Sequence, residues 1–109
     1  HKKYGTIELW WLVCEYNQLT SLEGIEKLSN LTHLYCQYNQ LTSLKGIEKL
    51  SNLAGLYCQS NQLNSLKGIE KLSNLTYLDC DIEYDTIEDI QSTLLYERRK
   101  NLILENFNV

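Results

Sequence analysis

A run of fifteen residues recurs along this chain at a fixed interval of 22 residues. The run NQLTSLKGIEKLSNL begins at Asn39, and nearly identical runs begin at Asn17 and at Asn61. Self-similarity at a period of roughly 20 to 50 residues is typical of architectures in which similar units stack along one axis. Because no single unit of that size can cover its own apolar face, the chain is predicted to be a solenoid with one continuous core.

Each unit carries one pattern of apolar residues, asparagine and glycine, L-x-x-L-x-C-x-x-N-x-L-x-x-L-x-G-I-x-x-L-x-N. In the central unit the pattern residues are Leu31, Leu34, Cys36, Asn39, Leu41, Leu44, Gly46, Ile47, Leu50 and Asn52. Alternation around Leu34 and Cys36 predicts a strand with one buried face. We expect Asn39 to turn the chain by bonding nearby backbone groups, with stacked asparagines forming a ladder, and Gly46 to adopt backbone geometry that a side chain would forbid. Strands of successive units would then pair in parallel, about 4.8 Å apart.

This pattern resembles the leucine-rich repeat family, in particular the 22-residue class found in internalin-like bacterial proteins and in eukaryotic protein-phosphatase regulators. The resemblance covers about residues 9 to 82. It implies an α/β solenoid, a right-handed superhelix with a parallel β-sheet on its concave face and a C-terminal capping helix. It also implies a function in binding proteins.

The predicted organisation divides the chain into repeats over residues 1–85 and a C-terminal cap over residues 86–109. Three full units are placed near 12–33, 34–55 and 56–77, between a short lead-in over 1–11 and a partial unit over 78–85. In the cap, Asp85 precedes Glu88 by three residues, which is the spacing of a capping box at a helix N-terminus.

Other residues of the cap extend this prediction. Three apolar residues share one face of the predicted helix: Ile87, Ile90 and Leu94. Three basic residues are expected at its C-terminal end, where the helix dipole favours positive charge: Arg98, Arg99 and Lys100. The segment NLILENF fits either a helix or a last strand, and in both cases we expect four apolar side chains to be buried: Leu102, Ile103, Leu104 and Phe107.

The units differ from one another mainly within their predicted strands. Residues 12–33 differ from 34–55 at five positions, and 34–55 differ from 56–77 at four; seven of the nine differences fall in the strand segment. We call the part of each unit that lies opposite the predicted strand the arc. Its exposed residues, such as Glu26 and Lys27, hardly change between units. We interpret the variable strands as a selected binding surface, with chance after recent duplication as the alternative.

The outward strand positions form columns across the predicted concave face. These columns are Trp11, His33, Gly55 and Tyr77; then Val13, Tyr35, Tyr57 and Asp79; then Glu15, Gln37, Gln59 and Asp81; and, at the rim, Tyr16, Tyr38, Ser60 and Ile82. Tyr and Trp bury a large area at modest entropic cost, so they suit binding surfaces. The predicted partner-binding residues are Trp11, Val13, Tyr16, His33, Tyr35, Gln37, Tyr38, Tyr57, Gln59, Tyr77, Asp79 and Asp81.

Two features of this face keep structural alternatives open. Tyr35 and Tyr57 are good strand residues and would also form an ordinary cross-strand pair. Four carboxylates near the C-terminal end favour a partner with basic residues or form a solvated edge: Asp79, Asp81, Glu83 and Asp85. As a calcium loop this segment fails, because Tyr84 and Ile90 occupy the positions that require glycine and glutamate.

Composition and motifs argue against several functions. The net charge is -4 with a pI of about 5.1 and no basic stripe, so nucleic acid is not an expected partner. No apolar run approaches the roughly 18 to 20 residues of a membrane span. His33 has no cysteine or carboxylate at triad-like spacing and no phosphate loop is present, so we expect neither enzyme activity nor a cofactor.

Four cysteines recur at the repeat interval: Cys14, Cys36, Cys58 and Cys80. Stacked on parallel strands, their sulfurs would form a line about 14 Å long, which cannot surround one zinc ion. Parallel side chains also lack the usual disulfide dihedral. We therefore predict buried free thiols and no metal, which favours a reducing, cytoplasmic compartment while localisation otherwise stays open.

The sequence thus predicts a non-enzymatic module that binds a protein or peptide on a concave aromatic face. One alternative is a self-associating unit, a homodimer for example, that pairs through its N-terminal strand edge near Trp10 and Trp11. Another is a carbohydrate-binding surface, since aromatic rings beside carboxylates can hold sugars.

Overall fold

Each complete repeat unit in the computed structural model consists of a short strand, a turn and a 3₁₀ helix. The structure describes residues 9–107, so the predictions for the lead-in residues 1–8 and for residues 108–109 lie outside the described part. The strands are β1 (Trp11–Val13), β2 (His33–Tyr35), β3 (Gly55–Tyr57) and β4 (Tyr77–Asp79). The 3₁₀ helices span Ile25–Lys27, Ile47–Lys49 and Ile69–Lys71, and one α-helix, α1, spans Ile87–Phe107.

The strands form one parallel sheet in the order β1-β2-β3-β4. Leu34 of β2 pairs with Leu12 on one side and with Leu56 on the other, so equivalent residues of successive units stand side by side. Backbone bonds continue this ladder past the strands, as between the Cys14 N–H and the Tyr35 carbonyl at 2.8 Å. The predicted leucine-rich solenoid with a parallel sheet is confirmed.

The core lies between the sheet and the 3₁₀ helices. In the central unit the inward residues are all at most 1% exposed: Leu34, Cys36, Leu41, Leu44, Ile47 and Leu50. Burying such a side chain contributes about 1.5 to 3 kcal/mol. Gly46 turns the chain into its 3₁₀ helix at a φ of 100°, and a Cβ there would lie 3.0 Å from Ile25 Cγ2 of the preceding unit. The glycine therefore permits both the left-handed turn and the close approach of the units.

The Asn39 side chain joins two units. Its Nδ2 group donates to the carbonyls of Cys36 (3.0 Å) and Gln37 (3.3 Å) in its own turn and to that of Cys14 (3.0 Å) in the preceding unit. Its Oδ1 accepts from the Leu19 N–H at 3.0 Å. Asn61 repeats these contacts one unit later. The predicted ladder exists, but each asparagine bonds the backbone of its neighbour unit and not the neighbouring amide.

Several side chains of the arc opposite the sheet form hydrogen bonds within the protein, although the arc is largely exposed. Glu48 Oε1 accepts from the Gly46 N–H at 3.1 Å, and Glu70 Oε1 accepts from the Gly68 N–H at 2.8 Å. Asn52 donates to the carbonyl of Ser29 in the preceding unit at 3.4 Å. These hydrogen bonds explain part of the low variation of the arc residues, whether or not the strands form a binding face.

The α-helix begins one residue later than the capping-box prediction requires. Thr86, not Asp85, caps it, because the Thr86 Oγ1 accepts the Asp89 N–H at 3.0 Å. Gln91 Nε2 donates to the carbonyls of Ile69 (2.8 Å) and Leu72 (2.9 Å) at the end of the last 3₁₀ helix. Three residues pack against the core as predicted: Ile87, Ile90 and Leu94.

Two predictions for the end of the cap are wrong. The segment after Lys100 continues the helix to Phe107, so Arg98, Arg99 and Lys100 lie in its middle and its last turn carries no basic residue. The apolar side chains expected to be buried are 48% to 78% exposed: Leu102, Ile103, Leu104 and Phe107. The physical reason is length, since a helix of 21 residues extends about 31 Å and outruns the single unit that it covers.

All four cysteines are free thiols. Cys36 and Cys58 are buried as predicted, whereas Cys14 and Cys80, which follow the first and last strands of the described sheet, are only half-buried. Burial raises the pKa of the Cys36 thiol to about 12 and also raises that of Cys58. The thiolate form, which reacts, is therefore strongly disfavoured in the two inner cysteines.

Replacing Asn39 with alanine should lower the free energy of unfolding by about 2 to 4 kcal/mol, because buried backbone groups of two units lose their partners. The matched control is Asn17→Ala. Asn17 is exposed and, within residues 9–107, bonds only the Cys14 and Glu15 carbonyls of its own turn, so we expect at most about 1 kcal/mol. Urea denaturation measures both changes, and equal losses would contradict the bridging role of Asn39.

Thiol labelling of the folded protein should modify Cys14 and Cys80 well before Cys36 and Cys58, whose burial keeps them protonated and inaccessible. Mass spectrometry after timed exposure to a thiol reagent identifies the labelled residues. Denaturant should expose the two inner thiols together with the loss of structure. Rapid labelling of all four in the folded protein would refute this expectation.

Deleting residues 86–109 should cause aggregation or unfolding, because Ile87, Ile90 and Leu94 then no longer cover the core of the last unit. Deleting only residues 101–109 removes side chains that are exposed in the described part and should leave the melting temperature nearly unchanged. Light scattering and thermal unfolding distinguish the two chains. A monomeric, equally stable chain ending at residue 85 would show that α1 is dispensable.

Candidate functional site

The outward side chains of the sheet form one concave face. Parallel pairing places Trp11, His33, Gly55 and Tyr77 in one row, as predicted. A second row contains Val13, Tyr35, Tyr57 and Asp79. Because strands of only three residues supply two outward positions each, most of the predicted site belongs to these two rows.

Five aromatic side chains contact one another across this face, and we call them the aromatic band: Trp11, His33, Tyr35, Tyr57 and Tyr77. The Tyr35 and Tyr57 rings stack with centroids 4.2 Å apart and planes 10° apart. Trp11 lies 4.5 Å from His33 and 5.7 Å from Tyr35, and Tyr57 lies 5.0 Å from Tyr77. The rings therefore form a contiguous, mutually supported surface.

Gly55 makes this packing possible, although it was not among the predicted partner-binding residues. A Cβ at Gly55 would lie 2.7 Å from His33 Cδ2 and 3.3 Å from Tyr57 Cε1, so both rings cover its backbone. The Thr32 hydroxyl lies 3.1 Å from His33 Nδ1 on the other side of the imidazole. A glycine in a row of large side chains was the signal that could have identified this position.

Two further tyrosines form a separate pair at the rim, just beyond the strands. The rings of Tyr16 and Tyr38 stack with centroids 4.5 Å apart and planes 5° apart. Their backbone φ angles are 60° and 62°, values that are uncommon for bulky residues. This left-handed turn directs the chain from the strand into the Asn-containing loop and leaves both side chains exposed.

The carboxylates of Asp79 and Asp81 are engaged within the protein. Gln59 Nε2 donates to Asp79 Oδ2. Asp81 Oδ2 accepts the N–H groups of Ser60 (2.7 Å) and Asn61 (3.3 Å). Spacing alone could not show these bonds, which fix the turn after β3. Of the other predicted contact residues, Val13 is exposed and Gln37 is half-buried.

Charge is distributed unevenly between the two sides of the solenoid. The strand and turn segments that form the concave face contain no lysine or arginine. Their charged residues are acidic: Glu15, Asp79, Asp81, Glu83 and Asp85. Lysines occur instead on the arc, in and beside the 3₁₀ helices: Lys27, Lys45, Lys49, Lys67 and Lys71. The concave side is therefore the negative side.

Residues 9–107 contain neither a cluster of metal-binding side chains nor a membrane-spanning helix. No group of three or more His, Cys, Asp or Glu side chains in that range is placed to hold a metal ion. No helix there has the length and apolar character needed to cross a membrane. His33 contacts Thr32 and Trp11, and these contacts give it a packing role in the band.

Comparisons with known proteins bear on the repeat itself. A family model described as Leucine Rich repeats (2 copies) matches residues 11–49. Among solved structures, the chain is similar to an internalin C2 from Listeria monocytogenes, with 23% identity, a TM-score of 0.34, and coverage of 77% of this chain and 58% of that one. The matched part of this chain thus spans 58% of the length of the internalin chain. No curated protein gives a significant match.

The family match covers two units, and the structure shows how far the same unit continues. Strand, asparagine turn and 3₁₀ helix recur with equivalent pairing in the unit that follows residue 49. The match to leucine-rich repeats thus covers residues 11–49, and the parallel sheet continues the same geometry as far as β4.

Proposed function

We propose that this chain is a non-enzymatic interaction module that binds a protein or peptide through the aromatic band of its concave face. Leucine-rich repeat proteins generally mediate protein–protein interaction, which supports the class of function. The observation that carries the specific assignment is the contiguous row of ring contacts from Trp11 to Tyr77 at positions that vary among the units.

The packing of the band favours binding in two ways. Trp11 and Tyr77 are 55% and 51% exposed, so they offer apolar area that a partner can bury. The stacked rings of Tyr35 and Tyr57 are already held in place by each other, so less side-chain entropy is lost on association. The cross-strand pair expected of ordinary strand residues is present, and it also preorganises the surface.

The size of the face limits the partner. Four strands about 4.8 Å apart give a width near 14 Å, and such a face offers less than the roughly 800 Å² that each partner contributes to a standard interface. A single helix or an extended peptide matches this width. The exposed rim pair Tyr16 and Tyr38 would add contact area along the side of the band.

The charge of the face favours a partner that carries lysine or arginine. No basic residue of the strand and turn segments would oppose it, and Glu83 and Asp85 are exposed carboxylates at the C-terminal end. Exposed ion pairs contribute only about 0 to 1 kcal/mol each, so we expect charge to set orientation and association rate more than affinity.

Assembly through the N-terminal strand edge is the second candidate, and one observation favours it. Trp10 is 61% exposed beside β1, the first strand of the sheet. In that case Trp10→Ala would abolish self-association while substitutions in the band would not. Carbohydrate binding stays a prediction that a glycan array tests.

Tyr35→Ala and Tyr57→Ala should each weaken binding by about 1 to 3 kcal/mol if the band forms the interface centre, while unfolding free energies change little. A partner captured from cell extract and then purified provides the ligand for calorimetry. Lys45→Ala and Lys67→Ala are the controls, because these lysines lie on the arc and should have much smaller effects. Unchanged affinity of both tyrosine variants, with loss in the arc variants, would overturn the assignment.

A further inference from the structure

We propose that the exposed C-terminal half of α1 is itself a binding element, and that it occupies the concave face of a second copy of this chain. The inference rests on the proposed function of the aromatic band and names a partner for it. Its starting point is the unexpected exposure of the apolar residues after Lys100.

Three large side chains of α1 form a stripe on the side of the helix that faces away from the core. Tyr96, Ile103 and Phe107 are separated by seven and four residues, so they lie on one helical face. They are 66%, 53% and 78% exposed. Helical rotation of about 100° per residue places this stripe opposite Ile87 and Leu94, which pack against the core.

The charges beside the stripe are basic. Arg99 and Lys100 flank it in the helical rotation and are exposed. The neighbouring Arg98 is directed elsewhere, since its Nε lies 4.0 Å from Glu70 Oε2 of the last unit. Glu105 lines a groove with Lys67 and so belongs to the body side of the helix. The stripe is thus apolar and positive, and the concave face is aromatic and negative.

The dimensions of the two surfaces also agree. From Tyr96 to Phe107 the stripe extends about 16 Å along the helix axis. The four strands of the sheet span about 14 Å between the first and the last. One amphipathic helix laid across a shallow groove is a common mode of recognition, and it suits a face too small for a globular partner.

The contact has to be made between copies, because α1 lies on the arc side of its own solenoid. It packs against the 3₁₀ helix Ile69–Lys71, and Gln91 bonds the carbonyls of Ile69 and Leu72 there. The helix therefore cannot reach its own concave face without leaving the last repeat unit that it covers. Two reciprocal contacts, each joining the helix of one copy to the face of the other, close a dimer.

Sedimentation velocity of the full chain over rising concentration tests the inference. We expect association that Arg99→Glu with Lys100→Glu weakens strongly, because like charges then face each other in both contacts, and that Glu83→Lys with Asp85→Lys weakens for the same reason. All four residues are exposed, so circular dichroism should be unchanged. An equimolar mixture of the two variants should associate again. The negative helix of one variant then meets the positive face of the other, and the positive helix of the second meets the negative face of the first.

The control variant is Lys27→Glu with Lys49→Glu, which makes the same change in charge on the arc and should associate like the unaltered chain. A chain that stays monomeric into the high micromolar range overturns the inference, as does association that neither charge-reversed variant weakens. The proposed function is judged separately, by the tyrosine variants against a captured partner. If the chain is monomeric but its tyrosine variants lose binding to the captured partner, the dimer is refuted and the proposed function stands.

Discussion

The structure depends on one kind of hydrogen-bonded bridge, made by the carboxamide of Asn39 and repeated by Asn61. Each amide bonds carbonyls of its own turn and backbone groups of the preceding unit. A strand of three residues supplies too few ladder bonds to fix a register alone, so the asparagine adds the missing connections beyond each strand. The bridge works only if the neighbouring unit presents the same backbone at the same place, which explains why the chain repeats its residues so closely.

This requirement extends to the arc and changes the interpretation of the repeat differences. Glu48 and Glu70 bond the N–H groups of the glycines that open the 3₁₀ helices, and Asn52 bonds the preceding unit. The two glutamates thus stabilise the turn of their own unit and Asn52 joins two units, so part of the constancy of the arc has a structural cause. Because the arc is constrained by its own structure, its low variation is weaker evidence for selection on the strands than it is when the sequence is considered alone. Support for a binding face comes instead from the ring contacts themselves.

Periodicity made the fold predictable, because a strict 22-residue interval specifies parallel pairing and a shared core. The cap was less predictable for physical reasons. Apolar residues indicate burial only where a surface exists to cover them, and Ile103 and Phe107 lie beyond the last unit. The helix start was displaced by one residue because the Thr86 hydroxyl bonds the Asp89 N–H. The strand register produces the two rows of outward residues that the spacing predicts, but the bonds of Asp81 to the turn of the preceding unit depend on side-chain geometry that spacing does not specify.

The aromatic band is one packed surface and not a set of independent columns. His33 and Tyr57 both cover Gly55, and any larger side chain at that position would displace at least one of the rings. Tyr57 in turn contacts Tyr35 and Tyr77, so a change at Gly55 propagates along the band through ring packing. The backbone below is held by the asparagine bridges and does not depend on these rings. Substitutions at the outward positions should therefore alter the surface of the band without unfolding the solenoid, because the stability of the solenoid is governed by a separate set of residues.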